Sequence, residues 1–368
     1  MRQVVQNLKT GAIELAEIPA PAPRPGEVLL RNQVSLISAG TERSTIASGR
    51  QSLLERARKR PEKVIEVLGR VRRDGLGKTI ESVQAAFERL QPMGYCSVGT
   101  VIGLGEGVRG FQLGDRVASN APHAELATVA VNLCARVPDD VDDAAAAFTV
   151  LGAIALQGLR LAQPTLGECF AVTGLGVVGL LAVQLLRAQG VRVLAIDPVE
   201  RRRQMAASSG AVAVTPDDAE AAALALSRSR GLDGVLIATA TDSDAPVHQA
   251  AQMCRKRGRL VMVGVSGLGL ARADFYEKEL SFQVSASYGP GRYDPAYEQQ
   301  GQDYPAAFVR WTAGRNFEAV LDMLADRRLD VAPLISARLP IDRARDAYGM
   351  IDAGGATLGV LFEYPQRA

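Results

Sequence analysis

The feature that most constrains the fold is a turn with three spaced glycines at Gly174–Gly179, which reads GLGVVG. The apolar run ECFAVTG leads into it and the amphipathic run VVGLLAVQLLRAQG leads out of it, so the turn joins a buried strand to a helix. The next strand-like run, VRVLAID, ends in Asp197, close to the spacing of about 20 residues found in dinucleotide-binding βαβ units. This context, rather than the glycines alone, predicts a dinucleotide site.

Each glycine of the turn has a distinct physical role in such a site. Gly174 permits the tight turn, Gly176 lets a pyrophosphate approach the backbone, and Gly179 lets the helix pack closely on the strand. The first amides of the helix then face the phosphates. The strand-like run RLVMVGV contributes one further candidate glycine. The predicted cofactor-binding residues are Gly174, Leu175, Gly176, Val177, Val178, Gly179, Asp197 and Gly264.

The acid at the end of the second strand decides between the two nicotinamide cofactors. A carboxylate such as that of Asp197 accepts hydrogen bonds from the ribose hydroxyls of NAD and repels the 2′-phosphate of NADP. Arg201–Arg203 follow closely and could bind that phosphate, although we interpret them as a solvated helix face. The sequence therefore favours NAD over NADP.

The chain of 368 residues is long enough for two domains with separate cores. Over residues 152–288 strand-like and helix-like segments alternate, which predicts an α/β Rossmann domain with a doubly wound parallel sheet. One of its predicted helices is HQAAQMCRKRG. Residues 1–151 consist mainly of short strand-like segments, with a helical insert at 51–90.

The region after residue 288 begins with an irregular, tyrosine-rich segment. It continues with two predicted helices over about 304–326, the strand LISARLP, the helix DRARDAYGMI and the strand LGVLFEY. Elsewhere, a second glycine string at 103–107 is followed by turn-rich strand sequence rather than by a helix. We therefore predict a hairpin there, not a phosphate site.

Composition gives no reason to expect nucleic acid or a membrane as a partner. The formal net charge is +2, and the longest apolar stretch, GLGVVGLLAVQLL, is short for a bilayer span. The N-terminus has no apolar core of the signal-peptide type, so we expect a cytoplasmic protein. The four cysteines are scattered without a Cys-x-x-Cys pair and the two histidines are far apart, so no metal site is predicted.

Several stretches resemble the medium-chain dehydrogenase/reductase family: RPGEVLLRNQVSLISAGTE, GYCSVGTVIGLGEGVRGFQLGDRV, the Gly174 turn and GRLVMVGV. The resemblance implies a GroES-like, β-rich catalytic domain formed by residues 1–151 together with the returning residues 289–368. It places the Rossmann domain between them and an active-site cleft at their junction. Relatives are commonly dimers or tetramers, so the resemblance also implies a homo-oligomer.

A closer resemblance is to a zinc-less branch of that family. SAGTERS, AFTVLGAIALQG and SYGPGRYDPAYE are similar to the dehydrogenase half of bacterial bi-domain oxidoreductases, whose other half resembles a sugar oxidoreductase. This implies a sugar-related role and a separate sugar-oxidoreductase partner. The family's three zinc-ligand positions fall on Ala39, Tyr95 and Ala147, which are poor ligands, so the resemblance implies no zinc.

Without a metal, the chemistry needs a side chain that moves a proton. Tyr95 stands where the family has a ligand histidine, and its phenol could protonate a developing alkoxide or enolate; alternatively it packs under the nicotinamide. Glu42 stands at the position of an acid that assists the zinc, and could orient a substrate hydroxyl or act as a base; alternatively it pairs with an arginine. Ser38 and Thr41 are candidate hydrogen-bond partners. Tyr95 and Glu42 are the predicted catalytic residues.

The tyrosine-rich segment is the predicted substrate contact because aromatic rings with polar tips bind sugars well. Tyr288 and Arg292 are the first candidates, and either Arg292 or Arg310 could hold a carboxylate or phosphate. The alternative is an ordered loop that packs on the core.

Three functions are compatible with these residues. The first is a zinc-independent NAD(H)-dependent oxidoreductase acting on an alcohol or ketone of a sugar- or cyclitol-like small molecule. The second is an NAD(P)H-dependent C=C reductase of the enoyl or quinone type. The third is a cofactor-binding partner subunit without its own turnover, which is compatible with the lack of a clear acid–base residue.

Overall fold

The computed structural model describes residues 1–8, 10–40, 42, 43, 46 and 90–365. The predicted helical insert at 51–90 therefore lies outside the described residues except for Leu90, and Thr41 lies outside them as well.

The strands in chain order are β1 Arg2–Asn7, β2 Ile13–Glu17, β3 Glu27–Ser38, β4 Leu90–Pro92, β5 Ser97–Leu104, β6 Arg116–Ser119, β7 Leu126–Ala130, β8 Cys134–Arg136, β9 Cys169–Thr173, β10 Arg192–Ile196, β11 Val212–Val214, β12 Leu232–Ile237, β13 Cys254–Met262, β14 Ser281–Val284, β15 Ile335–Pro340 and β16 Gly359–Glu363.

The described helices are α1 Asp143–Ala146, α2 Thr149–Ala162, α3 Val177–Ala188, α4 Glu200–Ser208, α5 Ala219–Leu226, α6 Ala245–Met253, α7 Arg272–Tyr276, α8 Pro295–Gln300, α9 Ala313–Ala325 and α10 Ala344–Asp352. Single 3₁₀ turns are formed by Val131–Leu133, Ala332–Leu334 and Ile341–Arg343.

The nucleotide-binding half is a parallel sheet with the strand order β11-β10-β9-β12-β13-β14. The central strand β9 is buried at every position because helices cover both faces of the sheet, which is why its sequence is apolar throughout. From β9 the chain adds β10 and β11 on one side and then β12, β13 and β14 on the other, so the strand order reverses between β9 and β12. Ligands of doubly wound sheets bind outside the carboxyl ends of the strands at this switch point. The predicted Rossmann fold is confirmed.

The second half is rich in antiparallel β structure. One sheet has the order β15-β16-β3-β5-β6-β8, with β7 also paired to β3, and a small sheet has the order β2-β1-β4. β16 pairs antiparallel with β3, opposing Leu361 to Leu36, so the end of the chain completes the sheet begun near its start. The domain limits at 151/152 and 288/289 stay a prediction, since α2 runs continuously across the first of them.

Two local predictions were wrong. The predicted helix HQAAQMCRKRG ends at Met253, because the following residues form β13, which pairs with β12. Residues 304–312 do not form a helix; a short turn closes on the carbonyl of Pro305, and the helix begins only at Ala313. The hairpin prediction is confirmed, since β5 and β6 pair antiparallel around the second glycine string. No helix among the described residues is long and apolar enough to span a bilayer.

Candidate active site

The glycine turn lies between β9 and α3 at the switch point of the sheet. Gly174 has φ +89°, and a Cβ there would lie 2.8 Å from the Thr239 amide nitrogen. A Cβ on Gly179 would lie 1.9 Å from the Gly174 carbonyl oxygen, so helix and turn touch only because that side chain is absent. A Cβ on Gly176 would meet no atom within 4 Å. The fold itself therefore requires Gly174 and Gly179, whereas Gly176 borders open space that a pyrophosphate could fill.

The other predicted residues of the turn contribute backbone rather than side chains. Leu175 and Val177 are buried in the core, and Val178 is half-buried. Gly264 follows β13 at the same sheet edge, where a Cβ would lie 2.2 Å from the Thr239 carbonyl oxygen. Its lack of a side chain keeps the ends of β12 and β13 close together.

Asp197 holds the turn in place. One carboxylate oxygen accepts a hydrogen bond from the Leu175 amide at 2.8 Å, and the other accepts from the Val199 amide at 2.8 Å. The Arg202 guanidinium lies 3.6 Å from the first oxygen. The acid therefore stands beside the glycine turn, at the position where the fold recognises a cofactor ribose.

The arginines after Asp197 differ from one another. Arg202 donates to the Gly355 carbonyl, and Arg203 donates to the carbonyls of Asp197 and Pro198, each at 2.8 Å. Only Arg201 is exposed. The interpretation of all three as a solvated face was wrong for Arg202 and Arg203, because backbone carbonyls of neighbouring segments hold them.

In the β-rich half, the Tyr95 hydroxyl donates a 2.7 Å hydrogen bond to Oγ of Ser38. Ser38 ends β3 and Tyr95 lies two residues before β5, and pairing of these strands brings the two residues together. The Ser38 amide in turn donates to a carboxylate oxygen of Glu42 at 2.9 Å. The structure thus brings both predicted catalytic residues, Tyr95 and Glu42, to one serine.

Glu42 is almost completely buried, with 3% of its surface exposed. Its second carboxylate oxygen accepts a hydrogen bond from the Tyr348 hydroxyl and lies 3.3 Å from Nε2 of His123. Burial, and then the Glu42 charge, raises the pKa of Tyr348 well above its usual value, so this phenol stays a donor. Glu42 is therefore enclosed by the Ser38 amide, a phenol and an imidazole, not paired with the arginine that sequence reasoning offered as the alternative.

His123 was missed by sequence analysis. Its ring is fully buried, shares a 2.7 Å hydrogen bond between Nδ1 and Oγ of Ser35, and meets Phe362 edge-on. A Cβ on Gly94, where φ is +87°, would lie 2.5 Å from this ring. A single histidine in a loop sequence, PHAEL, carries no motif, so no local signal indicates that it will meet Glu42.

These residues do not fit a zinc ion at the family position. Two of the three equivalent positions, Ala39 and Ala147, have no donor atom, and the phenol of Tyr95 is already engaged with Ser38. The neighbouring Cys96 is fully buried, and burial together with the Glu42 charge raises its pKa well above normal, so it stays a thiol. Across residues 1–40 and 90–365, apart from the few masked positions, no cluster of three His, Cys, Asp or Glu residues could hold a metal.

Tyr288 is 3% exposed and accepts a 3.2 Å hydrogen bond from the Asn120 amide. Burial raises its pKa to about 12, although Arg292 and Asn120 lower it. Arg292 pairs with Glu298 and lies 5.7 Å from the centre of the Tyr288 ring, so its charge is already offset. The buried Cys96 thiol also raises the pKa of Tyr288, which places this tyrosine near the Tyr95 side of the site.

Comparison with known proteins agrees with this architecture. Residues 177–300 match the zinc-binding dehydrogenase family. The matched segment begins with α3 and ends with α8. Galactitol-1-phosphate dehydrogenase from Escherichia coli superposes with a TM-score of 0.75 over 99% of this chain and 100% of its own, at 20% identity.

Two further similarities are to named dehydrogenases. The 2-dehydro-3-deoxy-L-galactonate 5-dehydrogenase of Pseudoalteromonas atlantica is 23% identical over 74% of this chain and 82% of its own length. A zinc-binding dehydrogenase from Sinorhizobium meliloti, solved bound to NADP, superposes with a TM-score of 0.70 at 19% identity, over 99% of each chain.

The glycine turn generates a paired prediction. Gly179→Ala should destabilise the cofactor-free protein by about 1–3 kcal/mol, because its methyl group would collide with the Gly174 carbonyl. Gly176→Ala should change stability by no more than about 1 kcal/mol and weaken NAD⁺ binding at least about tenfold, because its methyl group would enter the open space beside the turn. Urea unfolding without cofactor and calorimetric titration with NAD⁺ measure the two effects. Equal stability losses, or unaltered NAD⁺ binding by Gly176→Ala, would contradict the assignment.

Proposed function

We propose that the protein is a zinc-independent, NAD(H)-dependent oxidoreductase that transfers a hydride between the nicotinamide and an alcohol or ketone of a sugar- or cyclitol-like small molecule. The observation that carries the proposal is the Tyr95–Ser38 hydrogen bond, formed at the family's zinc position by residues that do not fit a metal. A proton-transferring side chain stands where relatives would place a Lewis acid.

The Gly174 turn and Asp197 fit a dinucleotide. Gly176 borders space for the pyrophosphate, the amides at the start of α3 would face it, and Asp197 stands at the ribose position. When bound, the nicotinamide accepts or donates the hydride. The chain's own contribution is to orient this group and to supply the proton.

Tyr95 would supply that proton. During reduction, the phenol would give its proton to the oxygen of the carbonyl whose carbon receives the hydride, which leaves a phenolate; during oxidation, the Tyr95 phenolate would take the hydroxyl proton. Ser38 would hold the Tyr95 oxygen in place for both directions. Glu42 does not need to touch the substrate for this role. By accepting from the Ser38 amide, it fixes the end of β3 and so holds the serine hydroxyl against Tyr95.

The substrate class rests on weaker support. Two similar proteins are named for a sugar acid and a sugar-alcohol phosphate as substrates. Tyr288 with Asn120 offers a neutral, polar surface suited to hydroxyl groups, because the raised pKa keeps the phenol protonated. A sugar-oxidoreductase partner and a cytoplasmic location stay predictions. Self-association is also a proposal, supported by the exposed Val284 and by the outer edge of β14, which pairs with no strand among the described residues.

An NADPH-dependent C=C reductase is the second candidate. Arg202 lies 3.6 Å from the Asp197 carboxylate and partly offsets its charge, which weakens the repulsion of a 2′-phosphate. A structure of the same fold was solved with NADP. In this reaction, Tyr95 would protonate an enolate instead of an alkoxide.

A substrate panel in buffer containing a chelator separates the functions. We expect oxidation of polyols and sugar alcohols with NAD⁺ that the chelator does not reduce. Consumption of NADPH with enones or quinones would favour the C=C reductase instead. Tight cofactor binding without turnover on any substrate would favour a partner subunit, and activity lost with the chelator and restored by zinc would refute the metal-free mechanism.

Tyr95→Phe tests the proton donor. We expect kcat to fall about 10²–10⁴-fold with unchanged NAD⁺ affinity, because only the hydroxyl that moves the proton is lost. Tyr293→Phe is the matched control, since this tyrosine is 71% exposed. Steady-state kinetics on the best substrate of the panel and NAD⁺ titration give both numbers. A kcat equal to that of the control would exclude Tyr95 as the donor.

Asp197→Asn tests cofactor choice more cleanly than Asp197→Ala, because an amide oxygen can still accept from a backbone N–H while the charge is removed. We expect both variants to shift the ratio of NAD to NADP affinity toward NADP, by about tenfold. Arg202→Gln should shift the ratio the other way. Paired titrations with the two cofactors measure it, and an unchanged ratio in both Asp197 variants would refute the role of this acid.

A further inference from the structure

The only tryptophan of the chain lies between two cations. The guanidinium carbon of Arg160 is 3.3 Å from the centre of the Trp311 ring, and that of Arg310 is 3.8 Å from it. Two guanidinium groups cannot share one face of an indole at these distances without overlapping. They therefore lie on opposite faces of the ring.

Arg160 has no countercharge among the residues that the structure describes. It is half-buried on α2, and its Nε donates to Oδ1 of Asn316 at 2.7 Å. Its two terminal nitrogens have no acceptor among the described residues and are not enclosed by them. Burial, and then repulsion by Arg310, lowers the pKa of Arg160 to about 10. The protein thus holds two neighbouring positive charges that disfavour each other.

Half-buried arginines elsewhere have either a carboxylate partner or backbone carbonyl acceptors, the latter at Arg192 and Arg203. Arg116 pairs with Asp143 at 2.8 Å and Arg255 with Asp233 at 2.7 Å. Neither Arg160 nor Arg310 has a carboxylate within ion-pair distance in the part of the chain that the structure describes. The acid that Arg310 influences electrostatically is Glu318, whose own pKa is raised chiefly by burial.

This cluster of Arg160, Arg310 and Trp311 is separate from the proposed active site. Arg160 lies about 16 Å along the helix axis from Thr149, the residue that begins α2 beside Ala147. The link between the two regions is Asn316, which accepts from Arg160 and donates to the Tyr288 carbonyl at 2.9 Å. Asn316 therefore joins the cluster to the backbone of Tyr288, which sequence analysis grouped with Arg310.

We propose that Arg160 and Arg310 form an oxyanion-binding site at the rim of Trp311, and that its ligand is a doubly charged phosphate group. Each guanidinium presents a planar set of N–H donors that suits a tetrahedral oxyanion. Stacking on the indole orients both guanidinium groups before the ligand binds. A dianion placed across the rim supplies the countercharge that the fold omits. The inference is independent of the reaction proposed above.

Fluorescence of Trp311 is a direct probe, since no other tryptophan contributes. The full chain is titrated with inorganic phosphate against potassium chloride at equal ionic strength, with and without saturating NAD⁺. We expect a saturable change with phosphate in both cases, a similar change with sulfate, and a weaker one with the monoanion acetate. A titration with glycerol phosphate then shows whether a phosphate monoester is preferred to free phosphate.

Variants locate the site. Arg160→Gln and Arg310→Gln should each weaken phosphate binding about tenfold or more, measured by calorimetry because the substitutions also alter the indole signal. Arg310 is exposed and makes no hydrogen bond in the structure, so its variant tests the proposal even if Arg160→Gln fails to fold. Arg272→Gln is the matched control, an exposed arginine stacked 3.7 Å over Tyr276 without a second cation.

Three outcomes would overturn the proposal. The first is a fluorescence change that chloride reproduces at equal ionic strength. The second is phosphate binding that both arginine variants retain, and the third is a response that saturating NAD⁺ abolishes, which would assign the phosphate to the glycine turn.

Discussion

The candidate active site depends on one buried negative charge, the carboxylate of Glu42. An isolated carboxylate in an apolar core is strongly unfavourable, so it persists only where donors surround it. Here the Ser38 amide, the Tyr348 hydroxyl and the His123 ring approach it from three segments far apart in the sequence. These contacts connect the end of β3, the segment before β7 and the C-terminal helix α10 into one framework.

In the function proposed here, that framework would organise the site without a metal. In zinc enzymes a cation polarises the substrate oxygen. In this chain a hydrogen-bonded series runs from Glu42 through Ser38 to Tyr95, and its last member is an amphipathic, half-buried phenol. The segment match to zinc-binding dehydrogenases and the alanines at two ligand positions are therefore compatible: the architecture is retained while the donor set is not.

The nucleotide-binding half is constrained chiefly by close contacts between backbone segments. The Gly174 turn and the end of β13 approach neighbouring strands so closely that side chains would collide. Asp197 fixes the turn through an amide rather than through another side chain. Such local constraints leave a pattern in the sequence, which explains why the glycine turn and the acid beside it could be predicted whereas the contacts of His123 and Tyr348 with Glu42 could not.

The sequence by itself determined the alternation that builds the parallel sheet, the glycine turn with its acid, and the segments that form β3, β15 and β16. Each of these is encoded by spacing within a short stretch. Only the tertiary structure decided that β13 starts at Cys254, that Arg292 is neutralised by Glu298, and that Arg160 meets Trp311. These outcomes depend on residues that only folding brings together. The pattern within a short stretch of sequence does not indicate which other side chain will pair with a charge or stack on an aromatic ring.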